Sequence, residues 1–310
     1  MTRPCSLLLA AALLAALASS GRADEGTGSA AEEAIKLPGA RGLVGFGDMV
    51  DARSPGLLSI RLGTRYEVSV HDRDLETPTG GGASERTTRH ALYTVVGLSL
   101  FGIVDAGARI PYLFESEEQN VFGAPEPGSD SDHGWGDLDL AGKVTLQLGW
   151  FSVAPYLLGR LPTAEPAVED LAEFDYGASG TFAILSQYLS FHGNLYGIQR
   201  ETGLSALGYR LGLAGVPFAS DPLLLRLYAY VDGLEYEGTA DSDVDVVFGV
   251  QAIVLESITA EIGVRLRVVD GGNVSDELRR ALEGSGAGNP VGQLQDDGSW
   301  ELHLGLGTAF

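Results

Sequence analysis

The chain has 310 residues, of which 20 are basic and 42 acidic, for a net charge of −22. An excess of acid on that scale excludes the basic surface that polyanions require, so no nucleic acid is expected as a partner. A hydrophobic content of 45% is too high for a disordered acidic chain, yet no apolar run approaches the roughly 20 residues of a membrane-spanning helix.

The first element, "MTRPCSLLLAAALLAALASSGRADEG", carries Arg3, an apolar run from Leu7 to Ala18 and small residues up to Ala23. It reads as a cleaved secretory signal over 1–23, too short in its apolar part to anchor. Cys5, the one cysteine, leaves with it. The mature chain then has no disulfide, no thiol nucleophile and no thiolate metal ligand, and its rigidity must come from backbone pairing. Residues 24–56 are rich in Gly and Ala with little periodicity, and read as a periplasmic leader with access to the mouth of the unit that follows.

From Leu57 onward the sequence alternates with a period of two. Twelve strands are predicted: Leu57–Val70, Arg89–Leu100, Gly102–Phe114, Trp135–Leu148, Trp150–Pro162, Phe174–Leu185, Tyr188–Gln199, Leu204–Phe218, Leu223–Tyr236, Asp243–Leu255, Ile258–Val269 and Trp300–Phe310. Splitting or merging a hairpin would make the number 10 or 14. In "LLSIRLGTRYEVSV", Leu58, Ile60, Leu62, Tyr66, Val68 and Val70 share one face, and Arg61, Arg65 and Glu67 the other. The segments "GIVDAGARIPYLF" and "ITAEIGVRLRVV" separate apolar and charged residues in the same way. The connections alternate between tight turns, such as those at Phe101, Gly149 and Glu256–Ser257, and long, acidic, Gly-rich loops. "SDELRRALEG" in the last long loop has the cap and spacing of a short helix. Pro155 opposes a regular ladder, because proline removes a donor; it requires a bulge or a shifted strand boundary.

A soluble β-sandwich alternates as well, but it turns its charged face to water. The signal, the alternation of tight and long connections and the aromatic-ended last strand favour the opposite arrangement, with apolar faces toward lipid. Inside a bilayer every backbone polar group must pair, so a sheet there closes on itself. The expected fold is therefore all-β: a closed antiparallel transmembrane β-barrel of about 12 strands over 57–310. Trp300 and Phe310 bracket the apolar face of the strand that closes it.

With apolar faces outward, the lumen receives Arg61, Arg65, Glu67, Asp105, Arg109, Asp137, Asp139, Lys143, Arg160, Arg210, Arg226, Asp232, Asp245, Glu261, Arg265, Arg267, Glu301 and His303. Two readings stand side by side. Either these charges neutralise one another and fill the interior, or they line a narrow aqueous path whose selectivity they set. Closure between the first and last strands would bring Arg61 and Arg65 near Arg265 and Arg267, an anion-attracting wall unless Glu67, Glu261 and Glu301 cancel it. The loop from Glu115 to Asp139 has eight carboxylates and no lysine or arginine, but lacks calcium-loop spacing; it reads as solvated, and no metal or cofactor is assigned.

The terminal run "WELHLGLGTAF" resembles the assembly signal of Gram-negative outer-membrane barrels. The resemblance implies that Leu302, Leu304, Leu306 and Phe310 are read by the barrel assembly machinery. "GWGDLDLAGKVTL" and "APYLLGRLPTAE" resemble transporter barrels related to aromatic-degradation outer-membrane proteins, which implies a porin-like role in the cell outer membrane, among its lipids, toward an unknown small solute. Two other classes stay open. A barrel-fold lipid-modifying enzyme would need Ser and His together on the lipid side, whereas Ser190, His192 and Asn194 of "SFHGN" share the inward face, so no catalytic residue is assigned. The third class, a soluble secreted β-barrel binding protein, would be soluble without detergent.

Overall fold

The computed structural model describes residues 43, 45–54, 58–76, 82–121, 128–148, 150–164, 173–183, 188–200, 205–220, 223–236, 242–254, 258–269, 294–296 and 299–309. The signal, most of the leader, the expected helix at 275–284, the outer parts of the long loops and Phe310 lie outside these residues.

Alternating sequence produces twelve wall strands. They are β1 (Leu58–Glu76), β2 (Gly82–Leu100), β3 (Val104–Val121), β4 (in three pieces, Gly128–Trp135, Leu138–Val144 and Leu146–Leu148), β5 (Phe151–Leu161) and β6 (Glu173–Ala183). Next come β7 (Leu189–Arg200), β8 (Ser205–Ser220), β9 (Leu223–Tyr236), β10 (Ser242–Val254), β11 (Ile258–Val269) and β12 (Trp300–Ala309). Each pairs antiparallel with its sequence neighbours, and β12 pairs with β1 from Trp300↔Val70 to Ala309↔Arg61. The sheet is thus a closed twelve-stranded barrel. Closure leaves no strand edge along the bilayer, which hydrocarbon demands. The segment Leu294–Asp296 prolongs the closing strand's pairing with β1, through Leu294↔Leu75.

The pleat sorts the side chains as their sequence period requires. Ile60, Leu62, Leu92, Val96, Leu140, Leu157, Leu195, Leu207, Leu211, Ile262, Leu304 and Leu306 are exposed on the outside, while Arg61, Asp105, Arg226 and His303 are buried within. Aromatic side chains mark both rims. Tyr112, Phe114 and Trp135 form edge-on pairs near the long-loop rim, and Trp150 packs with Phe151 and Phe182 at the tight-turn rim. Apolar height bounded by such girdles is what a bilayer selects. Among the described residues no helix is long and apolar enough to cross a membrane.

Tight connections lie on one rim. Between β2 and β3, Phe101 and Gly102 both adopt positive φ, 58° and 66°, and Ile103 N donates to Leu100 O at 3.1 Å. A turn of this hand matches strand twist. Opposite it, β1, β2 and β3 run 19, 19 and 18 residues and, with the first piece of β4, extend the sheet past its neighbours. The sequence period stops short of these extensions, since it places the first strand's end at Val70 and the second strand's start at Arg89.

Pro155 falls where β4 is broken. Its residues up to Lys143 pair with β5 at Tyr156, and pairing resumes only at Leu146↔Val153. Pro155 therefore faces β6 opposite Ala178 and lies where the β4 ladder has no rung for its missing N–H. Inside, tyrosine rings lie over glycines of the next strand. An ideal Cβ on Gly208 would come within 2.1 Å of Tyr196 Cζ, and one on Gly249 within 2.4 Å of the Tyr228 hydroxyl. Only glycine leaves room for rings that fill the lumen across neighbouring strands.

Candidate functional site

A segment preceding β1 lies inside the barrel. Gly45–Phe46 and Met49–Val50 pair as a small hairpin, with Gly47 in its turn at φ 52°. Met49, Val50, Asp51 and Ala52 are all buried. Met49 packs among Ala214, Tyr228, Tyr230 and Val247, and Leu43 and Val50 against Tyr156, Leu158 and Ile198. Little sequence periodicity marks this segment, because beyond that short hairpin its backbone is met by side chains of the wall.

Wall side chains address that backbone one group at a time. Asn194 takes both groups of Val50, accepting its N–H at 2.9 Å and donating to its carbonyl at 3.0 Å, and Ser179 Oγ donates to the same carbonyl at 2.5 Å. Thr181 Oγ1 accepts from Ala52 N at 3.0 Å. Lys143 Nζ donates to Asp51 O and, at 2.9 Å, to Arg53 O. Nearer the turn, the Tyr230 hydroxyl accepts from Asp48 N at 3.1 Å and Arg210 Nη1 donates to Asp48 O at 3.0 Å. Glu261 accepts from Gly47 N at 3.0 Å, and Gln251 reaches Gly45 O at 3.4 Å.

Two plug carboxylates complete the seat. Asp48 binds Arg265 Nη2 at 2.5 Å. Asp51 pairs with Arg53 at 2.6 Å and lies 3.6 Å from Arg226 and 3.9 Å from His192. Burial opposes ionisation of Asp51, yet the adjacent Arg53, His192 and Arg226 hold its carboxyl well below the usual carboxylate range.

Around the plug the charges form balanced tiers. Toward the tight-turn rim, Arg61 binds Asp105 and donates to Ser99 Oγ at 2.8 Å, while Lys143 stands 3.5 Å from Asp105. At mid-height Glu261 accepts from the Tyr228 hydroxyl at 2.8 Å and lies 3.1 Å from His303 Nε2 and 2.5 Å from Gln251 Nε2. Beyond, Arg265 is ringed by Asp48, Asp232 at 3.1 Å, Asp245 at 2.9 Å and Glu301 at 3.5 Å. Arg210 meets Asp232 at 3.0 Å and stacks 4.5 Å above the Tyr196 ring. Arg65 pairs with Glu67 at 2.6 Å, Arg267 with Asp245 at 3.1 Å, and Asp139 with both Arg109 at 2.5 Å and Arg160 at 3.1 Å. Against this network a polar cavity of about 270 Å³ lies between β1, β2, β10, β11 and β12, bordered by Glu67, Arg89, Arg267 and Glu301.

Of the charged residues expected to face the lumen, Arg61, Arg65, Asp105, Arg109, Asp139, Lys143, Arg210, Arg226, Asp232, Asp245 and His303 are buried, and Glu67, Arg160, Glu261, Arg265, Arg267 and Glu301 are half-buried. The four seam arginines, however, do not form a bare cationic wall: each has a carboxylate beside it, and the Asp48 carboxylate that comes to Arg265 belongs to the plug. Asp137 accepts from Thr163 N and Ala164 N, both at 2.8 Å, and so fixes the end of β5 instead of facing the path. Ser190 and His192, 2.7 Å apart, are buried beside the plug and away from the lipid face. Among the described residues no group of His, Cys, Asp or Glu side chains is arranged to hold a metal ion. Leu304 and Leu306 face lipid and Leu302 is half-buried. Sequence patterning gave no sign of the plug's contacts with Asn194, Ser179, Thr181, Tyr230 and Gln251, since inward polar residues alternate alike whether they meet water or backbone.

A closed wall, apolar outside and polar within, defines a transmembrane β-barrel. No protein-family model matches the chain, and no curated protein matches it. Among solved structures it is similar to an outer-membrane channel from Pseudomonas putida F1, with 13% identity over 85% of this chain and 100% of that one and a TM-score of 0.48. It is also similar to the transport unit of an autotransporter from Escherichia coli, at 10% identity over 93% and 99% of the two chains and a TM-score of 0.44. The anion-selective porin from Comamonas acidovorans aligns at 10% identity over 81% of this chain and all of that one, with a TM-score of 0.32.

Proposed function

We propose that the protein is an outer-membrane barrel for the passage or binding of small solutes, and that residues 45–54 act as its internal plug. The supporting observation is the chemistry of the seat. The segment is held mainly by side-chain hydrogen bonds and ion pairs, groups that water or a polar solute can replace when it moves. A space filler with no other role is better served by apolar packing, because half-satisfied buried polar groups are costly.

In this reading the signal over 1–23 is removed, the leader stays in the periplasm, and the tight turns face it. The terminal strand engages the assembly machinery, and the exposed leucines meet outer-membrane lipid. Paired charges set selectivity once the plug moves, with no cofactor taking part. Single-channel recording of the purified protein in a planar bilayer tests the proposal. Discrete conductance steps support passage; a silent barrel, for wild type and for variants that weaken the plug's seat, rejects passage.

A further inference from the structure

The plug's seat is built to read a peptide backbone. Asn194 closes a two-bond clamp on Val50, one bond to its N–H and one to its carbonyl. Ser179 adds a second bond to that carbonyl, Lys143 and Thr181 continue along Asp51, Ala52 and Arg53, and Arg210 and Tyr230 take both backbone groups of Asp48. These contacts ignore side-chain identity, the way main-chain bonding supplies affinity in strand-like peptide recognition. Selectivity for charge enters at two places. Arg265 faces the carboxylate of Asp48, and Arg226 stands near that of Asp51.

We propose that the lumen is a binding site for short peptides bearing carboxylate side chains, and that residues 45–54 are a tethered occupant of that site. The proposal rests on the passage-or-binding reading above and names the class of solute. Clamps for a main chain, spaced along a path and flanked by arginines, suit an acidic oligopeptide. A sugar or an aromatic acid has no repeating N–H and C=O groups to meet them. The tether gives the occupant an effective concentration of about a millimolar or more, so a free peptide competes poorly until the occupant is loosened.

Gly47 offers a way to loosen it in the full chain. Its φ is 52°, and a Cβ there would stand 2.7 Å from the Tyr230 hydroxyl, so Gly47→Val crowds Tyr230 and displaces the turn while every wall residue keeps its identity. The experiment measures the fluorescence anisotropy of a labelled synthetic peptide of sequence GFGDMVDARS added to full-length protein in detergent. Asp48→Ala serves as a second loosened variant should Gly47→Val fail to assemble. The proposal expects saturable binding to the loosened protein, about tenfold tighter than to wild type, and about tenfold weaker when Asn194→Leu is added, as loss of a two-bond clamp implies. Competition by an unrelated peptide with the same aspartate spacing is also expected, with weaker competition when asparagines replace its aspartates.

Absence of saturable binding at millimolar peptide in both loosened variants would overturn the proposal, as would binding indifferent to Asn194→Leu. Equal competition by the asparagine peptide would overturn the acidic class. Bilayer conductance is read separately. A conducting barrel that binds no peptide refutes the peptide site and leaves solute passage standing, whereas peptide binding by a silent barrel does the reverse.

Discussion

Replacing Asp48 with alanine should unseat the plug while leaving the wall intact. The carboxylate makes a charge-assisted bond to Arg265 at 2.5 Å. The Asp48 backbone bonds to Tyr230 and Arg210 survive the substitution. A hydrogen bond to a charged group contributes about 1.5–3 kcal/mol. The larger penalty of roughly 3–5 kcal/mol for an abandoned buried charge does not apply in full, because Arg265 keeps Asp232 at 3.1 Å and Asp245 at 2.9 Å. Converted at about 1.4 kcal/mol per decade, the seated-to-unseated ratio falls roughly 10- to 150-fold. The assay is open probability in a planar bilayer, with heat-modifiable gel mobility showing that the barrel has closed. Asp48→Asn keeps an acceptor of the same shape and should fall between wild type and alanine. Unchanged open probability in a correctly folded Asp48→Ala barrel would refute the idea that this ion pair holds the plug.

Other expectations follow from the same geometry. Leu304 faces lipid on the closing strand, so Leu304→Asp should lower the yield of membrane-inserted, heat-modifiable protein, at a cost below the roughly 2–4 kcal/mol that arginine or lysine incurs at mid-bilayer; normal insertion would contradict the lipid-facing register. A cysteine at Asp132, exposed on the long-loop rim, should be labelled in intact cells by an impermeant thiol reagent and one at Phe101 should not; the reverse pattern would invert the topology. Gly208→Val should drive the Tyr196 ring off its bond to Asp232 at 2.9 Å and destabilise the barrel by about 1–3 kcal/mol, measured as a lower temperature of the gel-mobility shift.

What could be read from the sequence was the part of the wall that feels two solvents at once. Leu58–Val70 or Ile258–Val269 alternates because one face meets hydrocarbon and the other a polar lumen, and twelve such segments close the sheet. The upper ends of β1 to β4 were not readable. In "HDRDLE", "GASERTT" and "GSDSDHG" both faces are polar, so no period remains although the ladder continues. Nor was the plug's seat readable, for a related reason. Asp48 and Asp51 lie in a stretch without periodicity, and their partners Arg265 and Arg226 are more than 170 residues away along the chain. Pro155 was informative as an exception, since it marks the break between β4 and β5.

The most direct test of a plugged, openable conduit is to fasten the plug reversibly. Cys5 is the one cysteine of the sequence, so in a Cys5→Ser background a pair placed at Ala52 and Thr181, whose N and Oγ1 lie 3.0 Å apart, has no competing thiol in its own chain. Conductance of the Ala52→Cys, Thr181→Cys protein in a planar bilayer should vanish on oxidation and return to the wild-type level with dithiothreitol. Equal conductance in the oxidised and reduced states, with the disulfide verified, would contradict the account.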